Sequence, residues 1–283
     1  MPGKNDALAA LRATRVECAL RPVAGERFSM PCTNAAPVDM ILYRPQNTSG
    51  PLPVLFNMHG GAWIGGDAVY MDSFCQQLAR EIPAFVVNVN YTKADVQPFP
   101  YMVDEVCDTV RYFAAHGQEY GIDPLRFAVG GHSAGAHIAA CAALRLQDEI
   151  ALAAQMLVYP AVDMQGVGQG TLSQIMTMMF PQGVPGEASP LLAGDVVLAH
   201  VAPAVFVLCG IDELRVQGVA YAKRLIDQAV TVHVKEYPKA LHGFLEVCRP
   251  DYPAGDARQT PEQAEYARQC EVFLIKTLQG MLG

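Results

Sequence analysis

The chain is short of positive charge: 20 lysines and arginines against 28 aspartates and glutamates leave a formal net charge of −8. A surface that holds nucleic acid or an anionic membrane needs the opposite balance, so neither is expected as a partner. Long apolar runs are missing as well, and without about 20 consecutive apolar residues no helix spans a bilayer, so membrane insertion is not expected. The apolar run from Ala7 to Leu11 falls short of a secretory signal, which makes the cytoplasm the expected location. None of the eight cysteines stands at CxxC or another metal-ligand spacing, so neither a metal nor another cofactor is implied. Cys107, Cys141, Cys209 and Cys270 lie within apolar periodic segments and are expected as reduced core thiols. There is no internal repeat, no low-complexity tract and a single tryptophan, Trp63.

What is present is apolar mass: 51% of the 283 residues are hydrophobic and 17% charged, enough for one domain, residues 1–283, around a sizeable core. Short β-branched runs bounded by Pro, Gly or Asn predict strands at 38–45, 52–59, 84–91, 126–132, 153–162, 204–211 and 230–238. Between them, 3.6-residue periodicity predicts helices at 102–115, 134–146 and 214–229. A last helix is announced by Thr260 as N-cap, Pro261 in the first turn and Gln263 as capping-box partner. Strands alternating with helices imply a mostly parallel central sheet with helices on both faces. The first two strands, separated by QNTSGP, are expected to pair as an antiparallel hairpin. Residues 164–200 are too long and irregular for a plain connection and predict a lid insertion, with 1–37 as an N-terminal cap segment.

In such sheets chemistry gathers where the strands end. After the strand RFAV comes GGHSAG, in which Gly131, Ser133 and Gly135 form G-x-S-x-G. Small neighbours suit a sharp strand-to-helix turn that holds a serine in strained backbone geometry. A serine hydroxyl needs a base oriented by a carboxylate to become a nucleophile. Two later strands end suitably: AVFVLCGID delivers Asp212, and VHVKEYPKALH delivers His242 in a loop with Gly243. Asp212 also suits the N-cap of the following helix, and Glu213 is its nearest competitor as the acid. Of the other histidines, His233 is expected to face solvent, His132 is held in the turn away from the hydroxyl, and His137 is expected to pack or hydrogen-bond.

Acyl transfer also needs amide donors for an oxyanion. LFNMHGGAWIGGD (55–67) supplies them after a strand, since glycine turns its N–H toward a ligand with no Cβ in the way. The expected hole is the N–H of Gly60, Gly61 and Ala134. Gly65 and Gly66 are expected as turn residues only. Ala62, Trp63, Met176 and Met179 are candidate substrate contacts, with loop packing the alternative for Trp63 and core packing for the methionines of IMTMMF.

With HGGAW, GGHSAG, GIDEL and LHGF in this order, the chain resembles the α/β-hydrolase fold. Within that fold it is similar to the esterases related to hormone-sensitive lipase. NYTKADVQPFP, GIDPLRFAVGGHSAG and ASPLLA look like further segments of that group. The resemblance implies a serine hydrolase that cleaves short-chain carboxylic esters through an acyl-enzyme. Ser133 would be its nucleophile, Asp212 the acid, His242 the base, and a small acyl ester its partner, with a homodimer left open. Ala62 stands where the group has a third glycine, His132 where it has an acid, and YTKADV lacks its Arg, Ala-Pro and Glu. HGGAW and GHSAGAH also look like kynurenine formamidases, so an arylformamidase acting on N-formylkynurenine is the alternative. A non-catalytic ligand-binding member of the fold is the reading from another class.

Overall fold

Seven of the apolar runs, and one segment that is not apolar, become strands in the computed structural model, which describes residues 4–18, 21–31, 36–46, 48–165 and 170–283. The strands are β1 (Glu26–Met30), β2 (Val38–Tyr43), β3 (Leu52–Met58), β4 (Phe85–Val89), β5 (Ile122–His132), β6 (Leu152–Val158), β7 (Ala204–Ile211) and β8 (Val232–Leu241). They form one sheet in the order β1-β2-β4-β3-β5-β6-β7-β8. From β4 to β8 every pairing is parallel, whereas β1 and β2 are antiparallel additions at one edge.

Alternate residues serve two apolar layers, as the two-residue period of a strand requires. Val54 and Phe56 of β3, Phe127 and Val129 of β5, and Phe206 and Leu208 of β7 face one layer. Leu55, Ala128, Val205 and Val207 face the other. The helices divide accordingly. Of those with eight or more residues, α1 is Lys4–Cys18, α2 Asp72–Glu81, α3 Tyr101–Ala115, α4 Ala134–Leu146, α5 Thr171–Met179, α6 Arg215–Asp227 and α7 Pro261–Leu282. Residues of α3, α4 and α6 pack into the first layer, those of α2 and α7 into the second.

The hairpin expected across QNTSGP does not form. β2 does run opposite to β3, but β4 lies between them: Met40 is in register with Val89, and Met58 with Val89 on its other side. β3 is buried along nearly its whole length, so it gains more from two parallel neighbours than from an edge partner. β1 has no counterpart in the sequence reading because ERFSM is short, polar and mostly exposed, as befits an edge. Thr260 caps α7 as predicted, accepting from the Gln263 N–H at 3.3 Å. Gln263 does not close the box; its side chain instead accepts from Leu241 N–H at 3.0 Å and donates to the Lys239 carbonyl at 2.9 Å. The helix thereby fixes the end of β8.

Cys107, Cys141, Cys209 and Cys270 are buried free thiols. Cys32 and residues 166–169 of the 164–200 insertion lie outside the described residues. Within that insertion stand α5 and short turns, and α5 touches α1. Among the described residues no helix is long and apolar enough to cross a membrane.

Candidate active site

Because β3, β5, β7 and β8 run the same way, the residues that follow them collect at one edge of the sheet. Ser133 follows β5 with φ 54° and ψ −114°, a conformation that only a tightly braced turn maintains. Its N–H donates to the Val158 carbonyl at 2.9 Å, and its own carbonyl accepts from His137 N–H at 3.0 Å. The flanking glycines are sterically required. A Cβ on Gly135 would lie 2.2 Å from the Met58 carbonyl oxygen, and one on Gly131 would lie 2.5 Å from the Gly135 carbonyl carbon. The serine therefore projects from the junction of β5 and α4.

Ser133 Oγ lies 2.8 Å from His242 Nε2, and His242 Nδ1 lies 2.7 Å from Asp212 Oδ2. The Asp212 side chain is only 5% exposed, so its attraction for the ring is little screened by solvent. Its other oxygen accepts from Leu214 N–H at 2.9 Å, bracing the turn before α6; Asp212 is not the N-cap expected from the sequence, since Leu214 holds that position. Glu213, the competing acid, is exposed. Arg258 reaches the same loop and donates to the His242 carbonyl at 2.9 Å. A hydroxyl bonded to an imidazole that is itself held by a buried carboxylate can pass its proton to the ring as the oxygen attacks.

Gly60 and Gly61 follow β3 opposite the serine. A Cβ on Gly60 would lie 3.7 Å from Ser133 Cβ, which measures how close the two backbones come. Gly61 has φ 130°, and its carbonyl accepts from Ile64 N–H at 3.1 Å and Gly65 N–H at 2.7 Å, closing a tight turn. Ala62 and Trp63 also have positive φ, at 52° and 58°. Neither the Gly60 nor the Gly61 N–H is paired with a protein acceptor among the described residues. Ala134 opens α4, where the first amides have no partner within the helix.

These residues line a cavity of about 260 Å³, with Gly60, Gly61, Ala62, Ser133 and His242 on one side. Leu11 and Thr14 of α1 wall it as well. Trp63 does not: its ring is buried, and its Nε1–H donates to His137 Nδ1 at 3.1 Å. Met176 and Met179 do not line it either. They are buried in the core cluster that holds Phe99 and Phe180, because their face of α5 packs into that layer. His132 is wholly buried with neither ring nitrogen hydrogen-bonded, and burial pushes its pKa down to about 4. His137 is pushed down to about 4 by the same cause, and its Nε2 meets the Ala188 carbonyl at 2.9 Å. His233 is exposed.

Three features escaped the sequence reading. Glu246, four residues beyond His242, lines the cavity and accepts a hydrogen bond from the Tyr159 hydroxyl. Its spacing from His242 was the available signal. Gly66, read as a turn residue, donates its N–H to Thr14 Oγ1 at 2.9 Å and so docks α1 against the loop. Lys93, within the YTKADV segment that lacks the group's Arg, Ala-Pro and Glu, is buried with its Nζ 3.0 Å from His59 Nε2, beside the Gly60 loop. Among the described residues no group of three His, Cys, Asp or Glu side chains is arranged to hold a metal ion.

The fold and this edge of it define a class. The sequence pattern of the alpha/beta hydrolase fold matches residues 55–246, and the chain belongs to that family. It is 32% identical over 227 residues to an ethyl acetate hydrolase of Pseudomonas putida, covering 73% of this chain and 71% of the relative. It is 30% identical over 230 residues to an esterase of Mycobacterium tuberculosis, covering 75% and 72%. Among solved structures it is similar to a bacterial heroin esterase, with a TM-score of 0.81 and 27% identity over 99% of this chain and 93% of the other. The resemblance to hormone-sensitive-lipase-like esterases stands on these matches.

Proposed function

We propose that the protein is a carboxylesterase that hydrolyses short-chain acyl esters through an acyl-enzyme, with Ser133, His242 and Asp212 as its catalytic residues. The observation that carries this is the continuous chain from Ser133 Oγ to His242 Nε2 at 2.8 Å and from His242 Nδ1 to Asp212 Oδ2 at 2.7 Å, opening on the cavity. Ser133 Oγ attacks the ester carbonyl while its proton moves to His242 Nε2. Asp212 holds the Nδ1–H and stabilises the imidazolium that results. The tetrahedral oxyanion accepts from the amides of Gly60, Gly61 and Ala134. Collapse expels the alcohol, which takes the proton from His242. Water then repeats the sequence on the acyl-enzyme, with His242 as base, and releases the acid.

Ester cleavage is favoured over formamide cleavage because the matched relatives are named as ester hydrolases. The cavity of about 260 Å³ suits a small acyl group. In this reading residues 1–37 form the cap segment, supported by Leu11 and Thr14 closing one side of the cavity, and 164–200 is the lid insertion. A cytoplasmic location belongs to the same reading, supported by the free thiols. The test is a kinetic panel of p-nitrophenyl acetate, p-nitrophenyl butyrate and N-formylkynurenine with wild type and Ser133→Ala. Turnover of the esters that is lost in the variant is expected. Wild-type kcat retained by Ser133→Ala refutes the mechanism, and preference for N-formylkynurenine refutes the substrate.

A further inference from the structure

Lys93 is 6% exposed and sits among acceptors. Its Nζ lies 2.6 Å from the Tyr91 carbonyl, 3.1 Å from Asn90 Oδ1 and 3.0 Å from His59 Nε2. An ammonium has three N–H bonds and no lone pair, so three acceptors consume it entirely. Nζ is closer to His59 Nε2 than that nitrogen is to Asn90 Oδ1, 3.0 against 3.3 Å, so Nε2 carries the lone pair and the ring's one proton resides on Nδ1. That proton has a destination: His59 Nδ1 lies 2.6 Å from the Gly60 carbonyl oxygen. In a trans peptide the C=O and the following N–H point in opposite directions. A Gly60 carbonyl drawn to His59 therefore turns the Gly61 N–H away from it, to the side where Ser133 and the cavity lie.

The surroundings preserve this arrangement. The His59 ring is buried and stacks on Tyr91 with centroids 4.5 Å apart, and the Tyr91 hydroxyl donates to the His59 carbonyl at 3.1 Å. A Cβ at Gly66 would lie 2.5 Å from the Gly60 carbonyl oxygen and 2.8 Å from His59 Nδ1, so only glycine leaves the contact undisturbed. The backbone at Lys93 is braced as well: Thr92 donates its N–H at 2.7 Å and its hydroxyl at 2.6 Å to Glu105 of α3, and Ala94 N–H donates to the Trp63 carbonyl at 2.9 Å. Among the described residues no carboxylate forms an ion pair with Lys93. A buried ammonium held only by neutral acceptors is costly, and a packed apolar side chain would serve stability better.

We propose that Lys93 is a positioning residue for the oxyanion loop, acting through His59 to aim the Gly61 amide at the cavity. This rests on the ester-hydrolysis reading above. The charged groups around the ammonium are Asp67, reached through Asn90 Nδ2 at 2.9 Å, Glu105 of α3, Asp95 of the following turn and Arg15 of α1. The titratable rings are His59 and Tyr91. Burial and Arg15 lower the Lys93 pKa and the three carboxylates oppose them, leaving it at about 7. Above that pH the neutral amine has two N–H bonds for three acceptors, so kcat should fall on the alkaline side.

Two measurements test this. In wild-type protein labelled at histidine with nitrogen-15, long-range proton–nitrogen correlation at pH 6, assigned with His59→Gln, should show His59 neutral with its proton on Nδ1. A proton on Nε2 overturns the proposal without any kinetic result. In Lys93→Met, kcat on p-nitrophenyl butyrate, counted per Ser133 titrated by a fluorophosphonate, should fall about 10- to 100-fold with KM nearly unchanged, and the alkaline limb of the wild-type profile should vanish. A variant kcat per titrated site within about twofold of wild type, or an unchanged alkaline limb, overturns it. Absence of ester turnover in wild type would instead sink the ester-hydrolysis reading, and the His59 tautomer would still be measurable.

Discussion

Replacing Gly60 by alanine separates chemistry from folding at the loop that faces Ser133. The backbone at Gly60 is not in the left-handed region, so alanine meets no conformational penalty there. Its Cβ would lie 2.9 Å from Glu246 Oε1, 3.3 Å from the His132 carbonyl oxygen and 3.7 Å from Ser133 Cβ. The first is too close and falls on a buried carboxylate whose other oxygen accepts from Tyr159, and the second is tight against a backbone carbonyl. The new methyl then stands beside Ser133, and the loop must shift by a few tenths of an ångström to accept it. Losing one oxyanion donor typically costs on the order of 10²-fold in kcat, about 2.7 kcal/mol of transition-state stabilisation. Gly60→Ala is therefore expected to lower kcat on p-nitrophenyl butyrate by about that factor, with a smaller fall in melting temperature than Gly135→Ala shows. Gly135→Ala is the control. Its Cβ would strike the Met58 and His59 carbonyl oxygens at 2.2 and 2.6 Å, both backbone atoms at the end of β3, so it should lose the fold before it loses activity per folded molecule. Wild-type kcat in Gly60→Ala, or an equal loss of melting temperature in the two variants, would refute the reasoning.

Asp212→Asn keeps the shape but removes the charge that fixes the His242 tautomer, and should lower kcat about 10⁴-fold in the same assay while the fold is retained; a loss below tenfold would remove Asp212 from the mechanism. Burial holds His132 at about 4 against its ordinary 6.5. Between those values the unfolded chain binds a proton that the folded chain does not, so stability falls as pH drops from 6.5 toward 4, by about 2 kcal/mol at pH 5. His132→Phe breaks no hydrogen bond and keeps the edge-on contact with Phe74, so the difference in urea midpoint between pH 8 and pH 5 should shrink; an unchanged difference contradicts the assignment. Ala62 lines the cavity with φ 52°, so Ala62→Gly relieves backbone strain and removes a methyl. Hydrolysis of tert-butyl acetate relative to ethyl acetate should rise in that variant, and comparable wild-type rates on the two esters would show that the methyl obstructs nothing.

The parallel strands and the residues at their ends were legible because both follow from local pattern. β-branched runs mark the strands, and steric demand leaves glycine at 131 and 135, where a Cβ would meet backbone within 2.5 Å. The pairing of β2 was not legible, since a strand's neighbour depends on which candidates are buried on both faces, and only the assembled sheet decides that. β1 carries too little apolar pattern to announce itself. The cavity walls were the least accessible. Met176 and Met179 read equally well as pocket or core, and the rotation of α5 that sends them inward is a tertiary outcome. Leu11, Thr14 and Arg258 reach the site from distant segments, with no spacing that links them to Ser133. Lys93 carried no signal of its own within YTKADV; its three acceptors come together through folding.

The cavity joins two parts of the chain with different standing. Ser133, Asp212, His242 and the Gly60 loop all lie within residues 55–246, the stretch that carries the family pattern. Leu11, Thr14, Tyr252 and Arg258, which wall the same cavity, lie outside it. Ala62, Tyr70, Met71 and Glu246 wall it from within that stretch, so the cavity is closed by segments on both sides of the pattern's boundary. A change in either terminal segment therefore reshapes the space in front of Ser133 without altering any residue of the matched stretch.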